Sequence, residues 1–475
     1  MRRNGTGSVT PSSFARLGRR SVGTTIGLNG GATGRNGLGR EPGRGRSAAA
    51  AAPRPGARQE TLREANLLLI AEEIFASAGP LSRADLAIRT GMTRSTVSRL
   101  VDDLLAAGIV SEGSPIGGGT RGRPAVPLTP ARRTLIGLGV EVNVEFTAAR
   151  ALDLTGAVLA EEIIAADHRA SDPRKVLMEA GQLALGVAAE AAATGGQIIG
   201  TVLAIPGLVD SDERSLLLAP NLGWKDVDVV ELLRVAEQSA APQGAAPQEG
   251  NEHDAGSFGQ FITVANEAKL AALAIAQELT EADGEEQTFL YVSAQRGVGS
   301  AVVVDGVVEA GPHGWGGELG HISVEPSGPP CSCGSTGCLE VYAGKRALLQ
   351  AAGMADDAAA EEIVELIRSG QGQQAAEAIE HAGWALGVAL AAAMNVLDVH
   401  DVVLGGEFGP LADLLRPEME AELRRRVLAS PWVQSRVRES VAESAPATTG
   451  GALRALRAVV DAPLGWVPEA PAEQA

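Results

Sequence analysis

The sequence predicts an α/β protein in two folded units, and three observations predict it. Between residues 59 and 130, three helical patterns are followed by a hairpin rich in glycine and arginine. From 131 to 465, extended apolar runs alternate with helical ones, the pattern of a layered α/β domain. The length, 475 residues, exceeds what a single hydrophobic core organises.

Composition sets the outer limits. Hydrophobic residues make up 45% of the chain. No stretch offers about twenty consecutive apolar residues, and the N-terminus lacks the apolar core of a signal peptide. No membrane partner and a cytoplasmic location are therefore expected. A net charge of -18 speaks against binding nucleic acid through the whole surface. That charge is segregated, however: residues 1–58 hold eleven arginines against one acid, Glu41. Too poor in apolar side chains to offset its ordering entropy, this stretch is expected to be a disordered basic arm. A solvated tail, or an over-extended start of translation, accounts for it better than a DNA-gripping role. Residues 466–475 are expected to form a second tail.

From Gln59, Leu62, Leu67, Ile70 and Ile74 place apolar groups on roughly one helical face. After Gly79-Pro80, Ser82 is the expected N-cap of a short helix, with Asp85 three residues later, and Thr90-Gly91 ends it. Thr93 then caps a third helix, with Val97, Leu100, Val101, Leu104 and Leu105 on its apolar face. The remaining face near its start carries Arg94, Ser95, Thr96, Ser98 and Arg99, which suit phosphates and base edges in a major groove. Gly108-Ile109-Val110 begins a strand, and Gly117-Gly118-Gly119 leads into Arg121-Gly122-Arg123-Pro124. Arg121 and Arg123 on such a flat, narrow loop can enter a minor groove. This succession is a winged helix-turn-helix, and double-stranded DNA is the expected partner. The alternative, an ordinary three-helix packing module beside a solvated basic loop, does not explain why the elements come in this order.

In the larger unit, Leu135–Val142, Phe146–Leu154, Ile198–Ile205, Phe261–Ala265, Phe289–Val292 and Asp401–Leu404 read as strands. Helices are expected after Asp172-Pro173, over Glu267–Leu279, and from Gly450-Gly451. The stretch from about 236 to 259, rich in Ala, Gln, Gly, Pro and acids, reads as a flexible loop.

The three cysteines, Cys331, Cys333 and Cys338, fall within eight residues, which fits a local metal site better than a disulfide framework. They come after Gly317-Glu318-Leu319-Gly320-His321, in the run Cys331-Ser332-Cys333-Gly334-Ser335-Thr336-Gly337-Cys338-Leu339-Glu340. This pair of motifs resembles the signature of the ROK family, sugar kinases and sugar-responsive repressors, over roughly residues 60 to 460. The resemblance implies a two-lobed actin-like ATPase (ribonuclease H-like) domain of sugar-kinase type. One imidazole and three thiolates make a closed tetrahedral site, so His321, Cys331, Cys333 and Cys338 are the expected ligands of a structural zinc ion. The resemblance further implies a sugar site at Asn266, Glu267, Glu318, His321 and Glu340, flanked by Pro206-Gly207 and Asn221. Carboxylates and amides suit that task because they read hydroxyls in fixed directions.

Departures from the family's kinases bear on activity. Where those carry an Asp-x-Gly-Gly-Thr phosphate loop, this chain reads Glu141-Val142-Asn143-Val144-Glu145, which replaces both glycines and adds an acid. Phosphoryl transfer depends on positioning and compensating charge, so the loss is disabling. Where kinases have Asn-Asp, this chain has Asn266-Glu267, and the extra methylene moves the carboxylate by about 1 Å, a shift that can cost on the order of a hundredfold. The expectation is a non-enzymatic regulator, a repressor controlled by a monosaccharide or sugar phosphate and acting as a homodimer or higher homo-oligomer. The alternatives are an active sugar kinase with a DNA-binding appendage and a constitutive DNA-binding protein with a vestigial domain.

Overall fold

The structure, a computed structural model, describes residues 55–77, 79–115, 125–240, 256–284, 287–440 and 444–468. The expected basic arm therefore lies outside the described residues up to 54. The first helix already begins at Pro55.

Three helices, α1 (Pro55–Phe75), α2 (Arg83–Thr90) and α3 (Arg94–Ala106), precede the hairpin of β1 (Val110–Glu112) and β2 (Leu128–Pro130). Local chemistry sets their ends. The Asp85 N–H donates to the Ser82 hydroxyl at 3.2 Å, and the Ser82 N–H donates to the Asp85 carboxylate at 2.9 Å, a reciprocal cap. Gly91, at φ 71°, takes the left-handed conformation that ends α2. Thr93 accepts the Thr96 N–H at 3.2 Å and opens α3. Val97, Leu100, Val101 and Leu104 are buried as expected. Leu62 is not: it is 62% exposed, while Leu67, Ile70, Ala71 and Ile74 form the buried stripe of α1. Five residues of helix separate Leu62 from Leu67, which turns its side chain about 140° off that stripe. Arg83 bridges to Asp102 of α3 and Glu112 of β1, and Arg63 of α1 pairs with Asp103 of α3 at 2.9 Å. In the hairpin, Val110 faces Pro130, and the Gly113 N–H donates to the Pro127 carbonyl at 2.8 Å. Arg121 and Arg123, expected at the tip, lie outside the described residues.

The larger unit has two lobes. The first contains β3 (Leu135–Val142), β4 (Phe146–Asp153), β5 (Val158–Ala165), α4 (Pro173–Ala192) and β6 (Gln197–Ile205). A small sheet comes next, β7 (Leu208–Val209), β8 (Ser215–Ala219) and β9 (Trp224–Asp228), then α5 (Val229–Ala240), β10 (Ile262–Asn266) and α6 (Glu267–Asp283). The second lobe runs through β11 (Phe289–Ala294), β12 (Val298–Val304), β13 (Val307–Val308), α7 (Glu340–Ala343), α8 (Lys345–Ala351), α9 (Ala360–Arg368) and α10 (Gln373–Leu397). It ends with β14 (Asp401–Gly406), α11 (Phe408–Arg426), β15 (Arg436–Glu439) and α12 (Pro446–Asp461).

The two main sheets share one plan. Their orders are β5-β4-β3-β6-β10 and β13-β12-β11-β14-β15. In each, the first two strands of the lobe pair antiparallel, the third adds antiparallel to the second, and the fourth and fifth run parallel to the first. A single strand-helix unit thus occurs twice, which is the architecture of the actin-like ATPase fold. The last helix of each repeat crosses to the other lobe: α12 lies on β3 and β6, and α6 on β12. Alternation in β3 makes this possible. Val140 and Val142 enter the first lobe's core. The opposite face carries Gly139, where a Cβ would stand 1.8 Å from the Thr448 carbonyl of α12.

Two boundaries differ from the expected ones. The loop expected over 236–259 is shorter, because α5 continues to Ala240 with Leu233 and Ala236 buried, and Phe258 is 1% exposed. The apolar spacing of Val229, Leu233 and Ala236 outweighs the polar composition of the neighbouring segment. The expected C-terminal tail loses its first residues: a 3-10 turn at Pro463–Trp466 packs Leu464, Trp466 and Val467 against the first unit. Leu67, Ile70 and Ile74 of α1 share one apolar cluster with Leu152, Leu154, Ile199, Leu453, Leu456 and Val459. The two units are joined by core. No described helix is long and apolar enough to cross a membrane.

Candidate metal centre and ligand cleft

His321 ends the 3-10 turn Leu319–His321, and the loop after it folds back on itself. Ser323 pairs with Cys338 and Pro330 with Thr336, while the Cys331 N–H donates to the Ser335 carbonyl at 2.8 Å. These bonds bring all four expected ligands together. The donor atoms of His321, Cys331, Cys333 and Cys338 lie within 4.8 Å of one another. The Cys333 and Cys338 sulfurs are 3.7 Å apart, and the Cys331 sulfur is 3.8 Å from His321 Nδ1. A tetrahedral centre with metal–sulfur bonds of about 2.3 Å has edges of about 3.8 Å, so the residues present fit a tetrahedral thiophilic cation. Burial and the neighbouring sulfurs push the Cys338 thiol up to about 12, a penalty that a dication held by thiolates removes.

Beside this centre, a cavity opens between the lobes. Asn266, Glu267, Glu318, His321 and Glu340, separated by up to 74 positions in the sequence, all line it, with Pro206-Gly207 and Asn221. Nδ1 of His321 faces the sulfurs, leaving Nε2 as the ring nitrogen available to the cavity. Asn266 is anchored at both ends, its amide donating to the Gly207 carbonyl at 3.0 Å and its oxygen accepting the Lys269 N–H as N-cap of α6. Glu340 opens α7 just past the last cysteine and accepts the Val298 N–H at 3.3 Å. A side chain at position 297 would displace two cavity groups, because a Cβ would stand 2.2 Å from Glu340 Oε2 and 2.7 Å from Asn221 Nδ2. Burial raises the Glu318 carboxyl, with His321 and Lys269 opposing. Burial also takes Glu267 up to about 7, opposed by an N–H from Asn143. A loop of the second lobe also reaches the first, where the Trp315 indole donates to the Val209 carbonyl at 2.8 Å.

Sequence reasoning missed the residues that close the other end of the cleft. It treated the turn Asn143-Val144-Glu145 only as a lost phosphate cradle. In the structure, Asn143 Nδ2 donates to Glu267 at 3.0 Å and to Gln295 of the second lobe. Lys345 Nζ lies 3.2 Å from Glu145 and 3.0 Å from Glu407, so an ammonium and two carboxylates join the lobes at this end. Behind them Glu141 is fully buried, and burial with the nearby Glu267 holds its carboxyl well above the usual range. With two carboxylates against one ammonium, this end is poorly suited to a polyphosphate anion.

In the helical unit, Arg94, Ser95 and Arg99 are exposed at the start of α3, with Thr96 and Ser98 half-buried. Ion pairs within the helical unit use Arg63, Arg83 and Arg89, and Arg94 and Arg99 make none among the described residues.

Residues 255–457 match the ROK family, and residues 73–113 match the IclR helix-turn-helix domain. The ROK match covers β10, α6 and most of the second lobe. The xylose repressor of Bacillus subtilis is 26% identical over 372 residues, which cover 78% of this chain and 89% of that protein. The DNA-binding transcriptional dual regulator NagC of Escherichia coli is 25% identical over 363 residues, covering 74% and 82%. A solved ROK family transcriptional regulator, a homologue of the E. coli MLC protein, is 24% identical, covers 86% of this chain and 99% of its own, and superposes with a TM-score of 0.66. This chain has the fold of that regulator, helix-turn-helix included.

Proposed function

We propose that this protein is a sugar-responsive transcriptional repressor that does not transfer phosphate. One observation carries the reading: the cleft keeps a polar, carboxylate-lined cavity beside a metal centre, while its phosphate end is closed by Lys345, Glu145 and Glu407. The relatives named as xylose repressor and as NagC support it. In this reading Asn266, Glu267, Glu318, His321 and Glu340 hold the hydroxyls of a monosaccharide or sugar phosphate. Zinc occupies the His321, Cys331, Cys333 and Cys338 set, organising the walls that carry Glu318 and Glu340 rather than activating water, because four protein ligands leave no open position. Arg94, Ser95, Thr96, Ser98 and Arg99 read double-stranded DNA, and Arg121 and Arg123 complete the contact from the wing. A homodimer or higher homo-oligomer would set two such units on paired half-sites, in the cytoplasm where its operator lies.

Ligand that favours one lobe angle shifts the population of DNA-competent dimers, and coupling of ~1–3 kcal/mol suffices. A mechanical route exists: α12 lies on β3 and β6 and belongs to the same apolar cluster as α1. The kinase alternative draws on Glu267, whose carboxyl near 7 would suit a general base. One experiment separates the readings. Purified protein is incubated with ATP, magnesium and D-xylose, D-glucose or N-acetyl-D-glucosamine, and both sugar phosphate formation and thermal stabilisation are measured. Stabilisation by one sugar without turnover, and sugar-dependent release from operator DNA, are expected. Turnover at rates ordinary for sugar kinases would rule the proposal out.

A further inference from the structure

Among the buried polar side chains near the cleft, Asn143 belongs to neither the sugar site nor the metal centre. Asn143 lies just after β3 and is 2% exposed. Its three polar contacts define the amide's orientation. Oδ1 accepts the Glu145 N–H at 3.0 Å, while Nδ2 donates to Glu267 Oε2 at 3.0 Å and to the Gln295 side-chain oxygen. A flipped amide would set oxygen against a carboxylate and NH2 against an N–H, so the observed orientation is strongly preferred. Through this one group, the first turn of lobe one, the start of α6 and the β11–β12 turn of lobe two are tied together.

We propose that Asn143 is a positioning residue for ligand recognition, holding the Glu267 carboxylate at the cavity wall as an acceptor for a ligand hydroxyl. The inference rests on the sugar-binding reading above. Its physical basis is the position of Glu267, enclosed on its protein side and open to the cavity, where burial disfavours the charged form and an N–H from Asn143 favours it. With the carboxyl up to about 7, small changes in its partners move Glu267 between acceptor and donor within the physiological range.

Other ionisable groups stand around Glu267. Glu141 of β3 is raised by burial and by Glu267 itself, and Tyr291 of β11 is raised by burial. Lys269, on α6 itself, is lowered by burial from an ordinary value far above this range. Arg296, Glu318, His321 and Glu340 also line the cavity, and none of them is altered in a comparison that changes Asn143 alone.

The test is the pH profile of sugar binding by the full-length, metal-loaded protein, measured calorimetrically between pH 6 and 8. The probe is whichever of D-xylose, D-glucose, N-acetyl-D-glucosamine or their phosphates stabilises the protein. Affinity of the unmodified protein should rise roughly tenfold across that range, as a carboxylate with a midpoint near 7 ionises. In Asn143→Ala the midpoint should move up, and in Asn143→Asp, which keeps the shape but adds a like charge, it should move up by about one pH unit or more. Glu267→Gln should lose the pH step. If either Asn143 variant lowers affinity equally at every pH with the midpoint unmoved, Asn143 is a packing residue only and the proposal falls. A flat profile in the unmodified protein also overturns it. Failure of every sugar to bind at any pH would instead overturn the sugar-binding reading on which it rests.

Discussion

The two lobes repeat one topology, and the turns after their first strands occupy equivalent places facing each other across the cleft. In lobe one the turn is Asn143-Val144-Glu145; in lobe two it is Gln295-Arg296-Gly297. The second keeps a glycine because Glu340 and Asn221 crowd the place where a side chain would begin. The first carries side chains throughout, which contact Glu267, Gln295 and Lys345. From the same starting geometry, one turn leaves room beside the cavity and the other fills the space between the lobes with side chains. In the proposed reading, this difference lets the architecture hold a sugar without transferring phosphate, because the two ends of the cleft are built by separate turns.

Perturbing the cavity side should have the largest effect. Cys338→Ser removes one sulfur of the four-donor cluster, two residues before Glu340. Metal content should fall from one ion per chain toward zero and sugar affinity on the order of 100-fold, by elemental analysis and calorimetry. Retained sugar binding in a metal-free protein would uncouple the centre from the cavity. Gly297→Ala, which pushes a methyl into Glu340, should weaken sugar binding roughly tenfold, about 1.4 kcal/mol, with an unchanged circular dichroism spectrum. A control far from both turns is the double variant Arg94→Ala, Arg99→Ala. It should weaken operator binding by ~1–3 kcal/mol and flatten its salt dependence, with sugar binding intact.

The plugged side should respond least. Lys345→Met leaves Glu145 and Glu407 facing each other, but all three groups are partly open to water, so a loss of ~1 kcal/mol is expected. Tm should fall by about 2 °C. Replacing Asn143 and Val144 together by glycine should restore backbone room without conferring ATP turnover, because Glu145 and Glu407 still supply negative charge where phosphates must sit. Turnover in that variant would show that glycines alone separate sensor from kinase.

How much could be read from the sequence depended on the range of the interactions. The reciprocal cap of Ser82 and Asp85, the Thr93 cap and the Gly91 terminus act over three residues or fewer, and each helix end they predict is present. The metal cluster was legible because its four ligands span 18 positions of one loop. Asn143 was not, because its partners Glu267 and Gln295 stand 124 and 152 positions away. The same holds for Lys345, 200 positions from Glu145. The repeat of topology is hidden because it lies in strand order and direction, with no shared motif to betray it. Leu62 misled because one exposed leucine near a helical stripe looks like part of it, and α5 ran past its expected end because apolar spacing prevailed over a polar neighbourhood.

The apolar cluster that α1 shares with α12 has a practical corollary for anyone hoping to treat the DNA-reading unit as a detachable cartridge. Cut at residue 130, the fragment would lose the part of its apolar cluster that Leu453, Leu456 and Val459 supply. It would be sticky in isolation, and a transplant onto a foreign sensor would work only if the recipient supplied a matching greasy saddle.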